Sequence, residues 1–246
     1  MRIPVLQGVI DRRLLVNYRV RPDAIVSLLP APFRPKLIRG WAIAGICLIR
    51  LRELRPRFLP AFVGMKSENA AHRIAVQWDD HGTVREGVYI PRRDSNSRFN
   101  TLVGGRLFPG VHHHARFITD ERDDHVSIDM ASVDGQTKVK VRGSVVDALP
   151  AGSIFESLDE ASGFFEGGSL GYSVTRTPDQ YDGLELRCKT WSMQVLAVDE
   201  VRSSLFDDRV KFPADAVAFD CALLMRGIEH EWHSQPSLCG TEPATT

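Results

Sequence analysis

Short runs rich in β-branched and aromatic residues, bounded by turn residues, are more frequent along the chain than helical patterns. The first run covers Arg13–Val20, and a long, largely buried strand is predicted at Gly40–Leu51. Turn sequences such as Asp80-His81-Gly82 and Asp134-Gly135-Gln136 separate several later runs. The further predicted strands are His72–Trp78, Arg85–Ile90, His113–Ile118, His125–Ala131, Thr137–Val145, Leu184–Val198 and Ala216–Met225. So many strands favour a β-barrel.

Three short helices are predicted beside these strands. The first begins at Pro22, whose fixed φ suits the first helical turn. The second covers Ser97–Leu102. The third covers Ser157–Phe164, where Ser157 is followed three residues later by Glu160, the spacing of a capping box. The pattern as a whole predicts a mainly β chain of the α+β class.

Composition and charge restrict the class of protein. The chain has 246 residues, of which 43% are hydrophobic and 25% charged, and β-rich chains of this length often form one domain. We therefore predict a single domain at residues 1–233 and a flexible tail at residues 234–246, where the sequence is polar and contains proline. Lys+Arg and Asp+Glu both number 31, so no net field attracts a polyanion or a lipid surface. We expect no nucleic-acid partner and no membrane partner.

The cysteines and the first residues bear on localisation. Cys47, Cys188, Cys221 and Cys239 are scattered, and no two of them have the spacing of a zinc or redox motif. We interpret them as reduced thiols of a cytoplasmic protein. Charged residues from Asp11 onward interrupt the first apolar stretch too early for a signal peptide. No later window approaches the roughly 20 apolar residues of a membrane helix.

Several short segments, rich in polar, glycine and proline residues, can be compared in their order along the chain with known families. They are Asn17-Tyr18-Arg19-Val20, Leu28-Leu29-Pro30, Glu68-Asn69 with Arg73, Ser97-Arg98, Gly104-Gly105-Arg106-Leu107-Phe108, Asp220–Met225 and Glu229-His230-Glu231-Trp232. In this order they resemble the acetoacetate decarboxylase superfamily, and within it the YqjF-like branch, over residues 12 to 232. The resemblance implies an acetoacetate decarboxylase-like antiparallel β-barrel with a few flanking short helices and an interior apolar cavity.

The chain departs from that family where the decarboxylase reaction takes place. In the decarboxylases a Gly-Arg-Glu stretch is followed shortly by Tyr-Pro-Lys-Lys, and the first of these lysines forms an imine with the ketone. Gly105-Arg106 match, but Leu107 replaces the glutamate, and Gly110-Val111 stand in place of the two lysines. Lysine is scarce throughout, with six against twenty-five arginines. We therefore predict that the protein does not decarboxylate acetoacetate through an imine.

Three histidines follow directly after that segment. On a strand, His112 and His114 would face one side and His113 the other, so that two imidazoles could converge on a cavity. Such a pair could transfer protons, or hold a metal ion with Glu68 or His72 as a third ligand. We favour the simpler interpretation that the rings cap the barrel mouth. We assign no metal and no cofactor, and keep Glu68, His112 and His114 as candidate catalytic residues.

Glu68, Arg73 and Arg106 form a second candidate set. Two guanidiniums beside a cavity can hold a small carboxylic acid in planar two-point contacts, with the glutamate as acid or base. Arg73 and Arg106 are therefore the candidate substrate-binding residues, and a buried salt-bridge network is the alternative interpretation. If Arg106 anchors an acid, replacing it with lysine should weaken binding because lysine lacks the planar fork.

Two functions stay open at this stage. The first is an enzyme with a lyase- or hydratase-like activity on a small oxo- or carboxylic acid, without a Schiff-base lysine. The second is a non-catalytic protein that binds a small acidic or apolar molecule in its cavity. A phosphate-binding glycine loop and a Gly-x-Ser-x-Gly elbow are both missing from the sequence, so nucleotide binding and Ser-His-Asp chemistry lack support. Whether the chain forms a homo-oligomer is left open.

Overall fold

The structure is a computed structural model that describes residues 4–98 and 109–240. Within these ranges, thirteen strands form one sheet. The strands are β1 Leu6–Val20, β2 Arg34–Pro35, β3 Leu37–Ile38, β4 Trp41–Pro56, β5 Met65–Asp80, β6 Thr83–Ser95, β7 His112–Arg122, β8 His125–Ser132, β9 Lys138–Val146, β10 Leu170–Val174, β11 Gln180–Cys188, β12 Gln194–Ser203 and β13 Val217–Cys239. The helical elements are α1 Pro22–Val26, α2 Leu158–Gly167 and a 3-10 turn at Ala61–Val63. The predicted mainly β fold is confirmed.

The strand pairings return on themselves because two strands have additional neighbours. The order along the sheet is β11-β10-β6-β7-β8-β9-β12-β13-β1-β4-β5-β2, with β3 beside β4. In addition β5 pairs with β6 and β11 pairs with β13, so the pairings form closed rings that share β1, β4, β5, β6 and β13. The pairings of β6 with β7 and with β10 are parallel, and the other described pairings are antiparallel.

Strand β1 shows how side-chain alternation builds two cores, one on each face of the sheet. Leu14 and Val16 belong to the first core, whereas Leu15 between them belongs to the second, and all three are fully buried. A strand that is covered on both faces has a nearly continuous apolar sequence instead of an alternating one. Helix α2 covers one side of the second core, in which its Ala161 and Phe165 are buried.

The N-terminus of α2 confirms the predicted cap and changes one of its details. The Ser157 hydroxyl accepts a hydrogen bond from the Glu160 backbone N–H at 3.1 Å. The Glu160 carboxylate accepts one from the Glu156 N–H at 2.7 Å, one residue before the cap. The first predicted helix is also present, as α1. Of the predicted helix Ser97–Leu102, residues 99–102 lie outside the described residues.

The single strand predicted at Leu184–Val198 is wrong, because two strands with different partners occupy this range. Strand β11 pairs with β10 and β13, whereas β12 pairs with β9 and β13. The chain between them leaves the sheet, and there the Trp191 indole N–H donates to the Ser162 hydroxyl of α2 at 3.0 Å. Trp191 contributes to an apolar pattern like that of a strand, but it packs on the helix.

Strand β10 and the last part of β13 were not predicted from the sequence. Gly171 and Ser173 dilute the apolar pattern of β10, and a Cβ at Gly171 would lie 2.9 Å from the Ile90 Cδ1 atom. Residues 234–239, predicted to begin a flexible tail, continue β13 and pair with β11, for example Gln235 with Gly183. No helix in the described ranges is long and apolar enough to span a membrane.

His72 is a buried polar residue on the first-core face of β5. Its side chain shares a cavity of about 210 Å³ with Ile25, Phe206 and Phe212, and neither ring nitrogen has a hydrogen-bond partner among the described residues. Burial lowers the pKa of His72 from 6.5 to about 4, because a charged imidazolium loses its hydration there.

We expect acid to destabilise the protein in part through His72. Between pH 6.5 and about 4 the unfolded chain binds a proton at this residue that the folded protein does not bind. The free energy of unfolding should therefore fall as the pH falls through this window, by up to ~3 kcal/mol. His72→Leu should flatten this part of the pH dependence, measured by urea denaturation at several pH values. His81→Asn, at a fully exposed ring, is the control, and equal slopes for wild type and His72→Leu would refute the assignment.

Candidate functional site

A cavity of about 110 Å³ lies within the second core. One part of its wall is apolar and comes from β4, β11 and β13. The apolar side chains include Ile49, Leu51, Leu54, Leu184, Leu186 and Trp232. The other part is polar and cationic, with Arg13, Asn69, Arg73, Arg93 and His112. A cavity with an apolar wall and a few convergent polar groups is the usual form of a small-molecule site.

Strand alternation directs Arg13 and Arg73 to this cavity. Arg13 is two residues before Leu15, so it lies on the second-core face of β1. Arg73 has the same position on β5, between Ala71 and Ala75, which also belong to the second core. The two small side chains leave space beside the guanidinium that larger residues would fill.

A β-bulge brings Arg93 to the same cavity. Two residues of β6, Ile90 and Pro91, stand opposite the single residue Arg73 of β5. An extra residue of this kind reverses the alternation of the strand beyond it. Arg93 comes three residues after Ile90, and both therefore line the cavity.

Arg13 and Arg73 make only neutral contacts in the described structure. The Arg13 guanidinium donates to the Met225 sulfur at 3.7 Å. Arg73 donates to the Asn17 side-chain oxygen, and its guanidinium carbon lies 4.7 Å from the centre of the Phe165 ring. The Nε atoms of both arginines are buried and have no hydrogen-bond partner among the described residues.

Arg93 likewise contacts a neutral group, because its Nε donates to the Ser173 hydroxyl at 2.8 Å. No carboxylate in the described ranges forms an ion pair with Arg13, Arg73 or Arg93, and residues 99–108 contain neither aspartate nor glutamate. Burial lowers the pKa of Arg73 and that of Arg93 to about 10. The cavity therefore contains positive charge that no described acidic side chain compensates, which favours an anionic ligand.

Asp94 is the one acidic residue in the described cavity wall, and its charge is already paired. It is fully buried and accepts three hydrogen bonds from the neighbouring Arg92, at 2.8–3.1 Å. Arg92 also binds Asp134 at 2.8 Å. Adjacent arginines in β6 thus differ in role, because Arg92 binds two carboxylates whereas Arg93 faces the cavity.

His112 lines the cavity, but His114 is not among the described lining residues. Strand pairing places His112 opposite Arg93. Its Nδ1 lies 3.3 Å from the Gly110 carbonyl oxygen, which can only accept, so Nδ1 carries the proton. Burial, followed by the charge of Arg93, lowers the pKa of His112 to about 3. At neutral pH the ring is neutral, with the lone pair on Nε2. His114 Nδ1 is buried and has no described partner.

Glu68 lies outside the described cavity wall, in a network of buried charges. Its carboxylate contacts Arg12 at 2.6 Å and Arg50 at 2.5 Å. Both arginines also reach Glu121, at 2.9 and 2.8 Å. The network joins β1, β4, β5 and β7, and it has the form of the salt-bridge alternative from the sequence analysis.

The remaining sequence-based candidates do not join Arg73 in the described structure. Arg106 lies outside the described residues. His72 lies on the opposite face of β5 from Arg73. Among residues 4–98 and 109–240, no group of three His, Cys, Asp or Glu side chains is placed to share a metal ion.

Arg13 and Arg93 were not among the residues predicted from the sequence. Arg13 directly precedes the apolar run Leu14-Leu15-Val16, and a charge beside such a run could have indicated a buried functional residue. Arg93 gave no comparable signal. Its neighbour Arg92 has the same side chain, and only the bulge determines which of the two faces the cavity.

One protein family matches most of the chain. Residues 9–222 match DUF2071, whose description reads "Uncharacterized conserved protein (COG2071)". The chain belongs to this family. No curated protein matches this DUF2071 member.

Solved structures of similar fold cover nearly the whole DUF2071 chain. An acetoacetate decarboxylase-like enzyme from Sphingomonas wittichii RW1 has a TM-score of 0.59 and 14% identity, covering 96% of this chain and 92% of its own. The enduracididine biosynthesis enzyme MppR, complexed with pyruvate, has a TM-score of 0.62 and 10% identity, with 98% and 91% covered. Acetoacetate decarboxylase from Legionella pneumophila subsp. pneumophila str. Philadelphia 1 has a TM-score of 0.59 and 10% identity, with 96% and 88% covered. At these identities the likeness shows an acetoacetate decarboxylase-like fold, as the sequence resemblance implied.

We expect Glu68 of this DUF2071 protein to contribute mainly to stability. Glu68→Gln would leave the fully buried Arg12 with only Glu121, and losing one partner of a buried pair costs about 3–5 kcal/mol. Glu156→Gln is a matched control, because Glu156 is 80% exposed and pairs with Arg39, so its loss should cost under about 1 kcal/mol. Urea denaturation measures both. Equal losses in the two variants would contradict the structural role.

Proposed function

We propose that this protein binds a small organic acid in the cavity between Arg13, Arg73 and Arg93. The observation that supports this most directly is the set of three guanidiniums without a described carboxylate partner. An unpaired buried charge is unfavourable, whereas a charge-assisted contact with a ligand carboxylate supplies the missing partner. Guanidinium groups also match the planar geometry of a carboxylate better than an ammonium does.

The rest of the wall favours a small acid with a short apolar part. The cavity is only about 110 Å³, and leucine, isoleucine and tryptophan side chains face the cationic side. Among proteins of similar fold, MppR binds pyruvate. We therefore propose small oxo- or carboxylic acids as the ligand class. An apolar metabolite without a carboxylate would leave the positive charges of the cavity arginines without a partner.

The same cavity supports binding without an imine. None of the six lysines of the chain is in its described wall, and residues 99–108 contain no lysine. Lys36 is in an adjoining small pocket with Arg13 and Arg73. Its amine is already engaged in an ion pair with the Glu86 carboxylate at 2.5 Å.

His112 is a described histidine of the cavity wall and lies beside Arg93. Its low pKa leaves the ring neutral at neutral pH, so it can exchange a hydrogen bond with a bound acid, but it is a weak base. Its position beside Arg93 supports the enzymatic form of the proposal, a lyase- or hydratase-like reaction on the acid. The alternative is binding without reaction, which the pairing of Asp94 with Arg92 favours because it leaves the described cavity wall without an available carboxylate base.

The setting we propose is a single-domain cytoplasmic protein whose closed strand pairings form a barrel. The four cysteines are free thiols, in keeping with a reducing compartment. The finer assignment to the YqjF-like branch belongs to the same proposal.

Small acids should stabilise the protein through Arg93. At about 100 times the dissociation constant, a ligand adds ~2.7 kcal/mol, or roughly 5–10 °C in melting temperature for a chain of this size. We expect pyruvate, 2-oxobutyrate or acetate to raise the melting temperature, and the neutral analogues acetone and acetamide to leave it unchanged. Arg93→Met should remove most of this shift without lowering the unliganded melting temperature strongly, because no described ion pair is lost.

The adjacent residue is a matched control for this experiment. Arg92→Met removes the same side chain but leaves the buried Asp94 unpaired, so it should cost about 3–5 kcal/mol while the acid-dependent shift persists. Arg34→Met, at an exposed pair with Asp79, covers the case in which Arg92→Met does not fold. If no acid shifts the wild type, or if Arg93→Met retains the full shift, the proposed site is wrong.

The protein should form no imine with acetoacetate. Incubation with acetoacetate and borohydride, followed by intact and peptide mass spectrometry, should give no stoichiometric lysine adduct, whereas an acetoacetate decarboxylase treated in parallel should give one. Lys36→Arg identifies whether any signal comes from the lysine nearest the cavity. A stoichiometric adduct on any one lysine would overturn this part of the proposal.

A further inference from the structure

Cys47 lies in the wall of the same cavity. It is on β4, where it pairs with Leu15 of β1 and with Ala71 of β5. Its side chain is on the strand face that also carries Ile49 and Leu51, and all three line the cavity. Only 9% of Cys47 is exposed, so access to its sulfur is through the cavity and not from bulk solvent.

Cys47 shares the cavity wall with Arg13, Arg73 and Arg93. Burial lowers the pKa of Arg73 and of Arg93. The buried Nε atoms of Arg13 and Arg73 have no described partner. Cysteine becomes nucleophilic where neighbouring cations stabilise its thiolate. The same guanidiniums that would hold a ligand carboxylate thus line the cavity together with Cys47.

The other three cysteines, Cys188, Cys221 and Cys239, are not part of the described cavity wall. Cys221 is fully buried and accepts a hydrogen bond from the Asn17 amide at 3.5 Å, and burial with the nearby Asp220 raises its pKa to about 12. Cys239 is exposed at the end of β13, and it is not part of the described cavity wall. Among the four cysteines, Cys47 is therefore the one in the described wall of the cavity that Arg13, Arg73 and Arg93 line.

We propose that Cys47 is a nucleophile that attacks the electrophilic carbon next to the carboxylate of a bound acid, with 2-oxo acids as the ligand class. This inference rests on the proposed function of the cavity. With a 2-oxo acid, the Cys47 sulfur forms a bond to C2 while the C=O π bond breaks, and the thiol proton ends on the former carbonyl oxygen. The product is a hemithioketal, and no oxidant, reductant or leaving group takes part. The step is reversible, and Cys47 would carry out a covalent role for which this cavity has no lysine.

Anion-directed alkylation tests the reactivity of Cys47. Iodoacetate and iodoacetamide transfer similar groups to a thiolate with loss of iodide, but only iodoacetate carries a carboxylate. We expect the rate ratio of iodoacetate to iodoacetamide to be at least about tenfold higher at Cys47 than at Cys239, because the cavity arginines bind the carboxylate. Peptide mass spectrometry at low conversion gives both ratios from one sample. Pyruvate should slow labelling of Cys47 only, and Arg93→Met should lower its ratio towards that of Cys239.

Carbon NMR tests the covalent step itself. Wild-type protein with pyruvate labelled with carbon-13 at C2 should give a tetrahedral-carbon signal that is lost in Cys47→Ser, while the hydrate signal of free pyruvate is the same in both samples. The melting temperature of Cys47→Ser checks that the variant is folded, and Cys47→Ala repeats the test if it is not. Absence of a Cys47-dependent signal would overturn the carbonyl addition.

The outcomes separate this inference from the proposed function. If acids stabilise the protein but the alkylation ratio of Cys47 equals that of Cys239, the nucleophile is wrong and the acid site stands. If no acid stabilises the protein and the ratios are equal, both proposals fail. A raised ratio that pyruvate and Arg93→Met both reduce, together with the Cys47-dependent NMR signal, supports both.

Discussion

Burying a guanidinium without a carboxylate partner is costly, and one cavity of this protein contains two such groups, Arg13 and Arg73, beside the half-buried Arg93. The surrounding structure supports them with neutral donors and acceptors and with an aromatic face, as at Arg73 with Asn17 and Phe165. These contacts hold the side chains in place without neutralising them. The unpaired arginines lower the stability of the protein without a ligand, and they concentrate positive charge where a small anion can bind.

Two kinds of arginine coexist in this chain, and they contribute differently. Arg12, Arg50 and Arg92 bind buried or partly buried carboxylates and connect strands across the sheet. Arg13 and Arg93 each directly follow one of these residues and face the cavity instead. Adjacent residues in a strand point to opposite faces, so one dipeptide can serve both the structural network and the site. This explains how a chain with equal numbers of acidic and basic residues can contain a strongly cationic cavity.

The sequence predicted the fold class, most strands and the Ser157 cap because these follow from local patterns. Arg73 was identified through the family resemblance, and His112 through its position after Gly110-Val111. The prediction of a single strand at Leu184–Val198 was wrong because the connection between β11 and β12 resembles a strand in sequence. In this connection Trp191 packs on α2. Glu68 and Arg73 were grouped in one candidate site because a carboxylate beside guanidiniums could bind and activate a small acid, but the charge network and the cavity are separate in the described structure. Strand pairing decides which residues that are distant in sequence come together. A single sequence contains no local pattern that predicts this pairing.

The bulge at Ile90 and Pro91 makes the charge of the cavity depend on strand length. Removing one residue there would restore simple alternation, turn Arg92 inward together with Asp94, and point Arg93 away. The cavity would then lose one of its three unpaired guanidiniums with no change in the identity of any charged side chain. Among relatives of this fold, insertions and deletions in this strand could therefore alter ligand class as effectively as substitutions in the cavity wall.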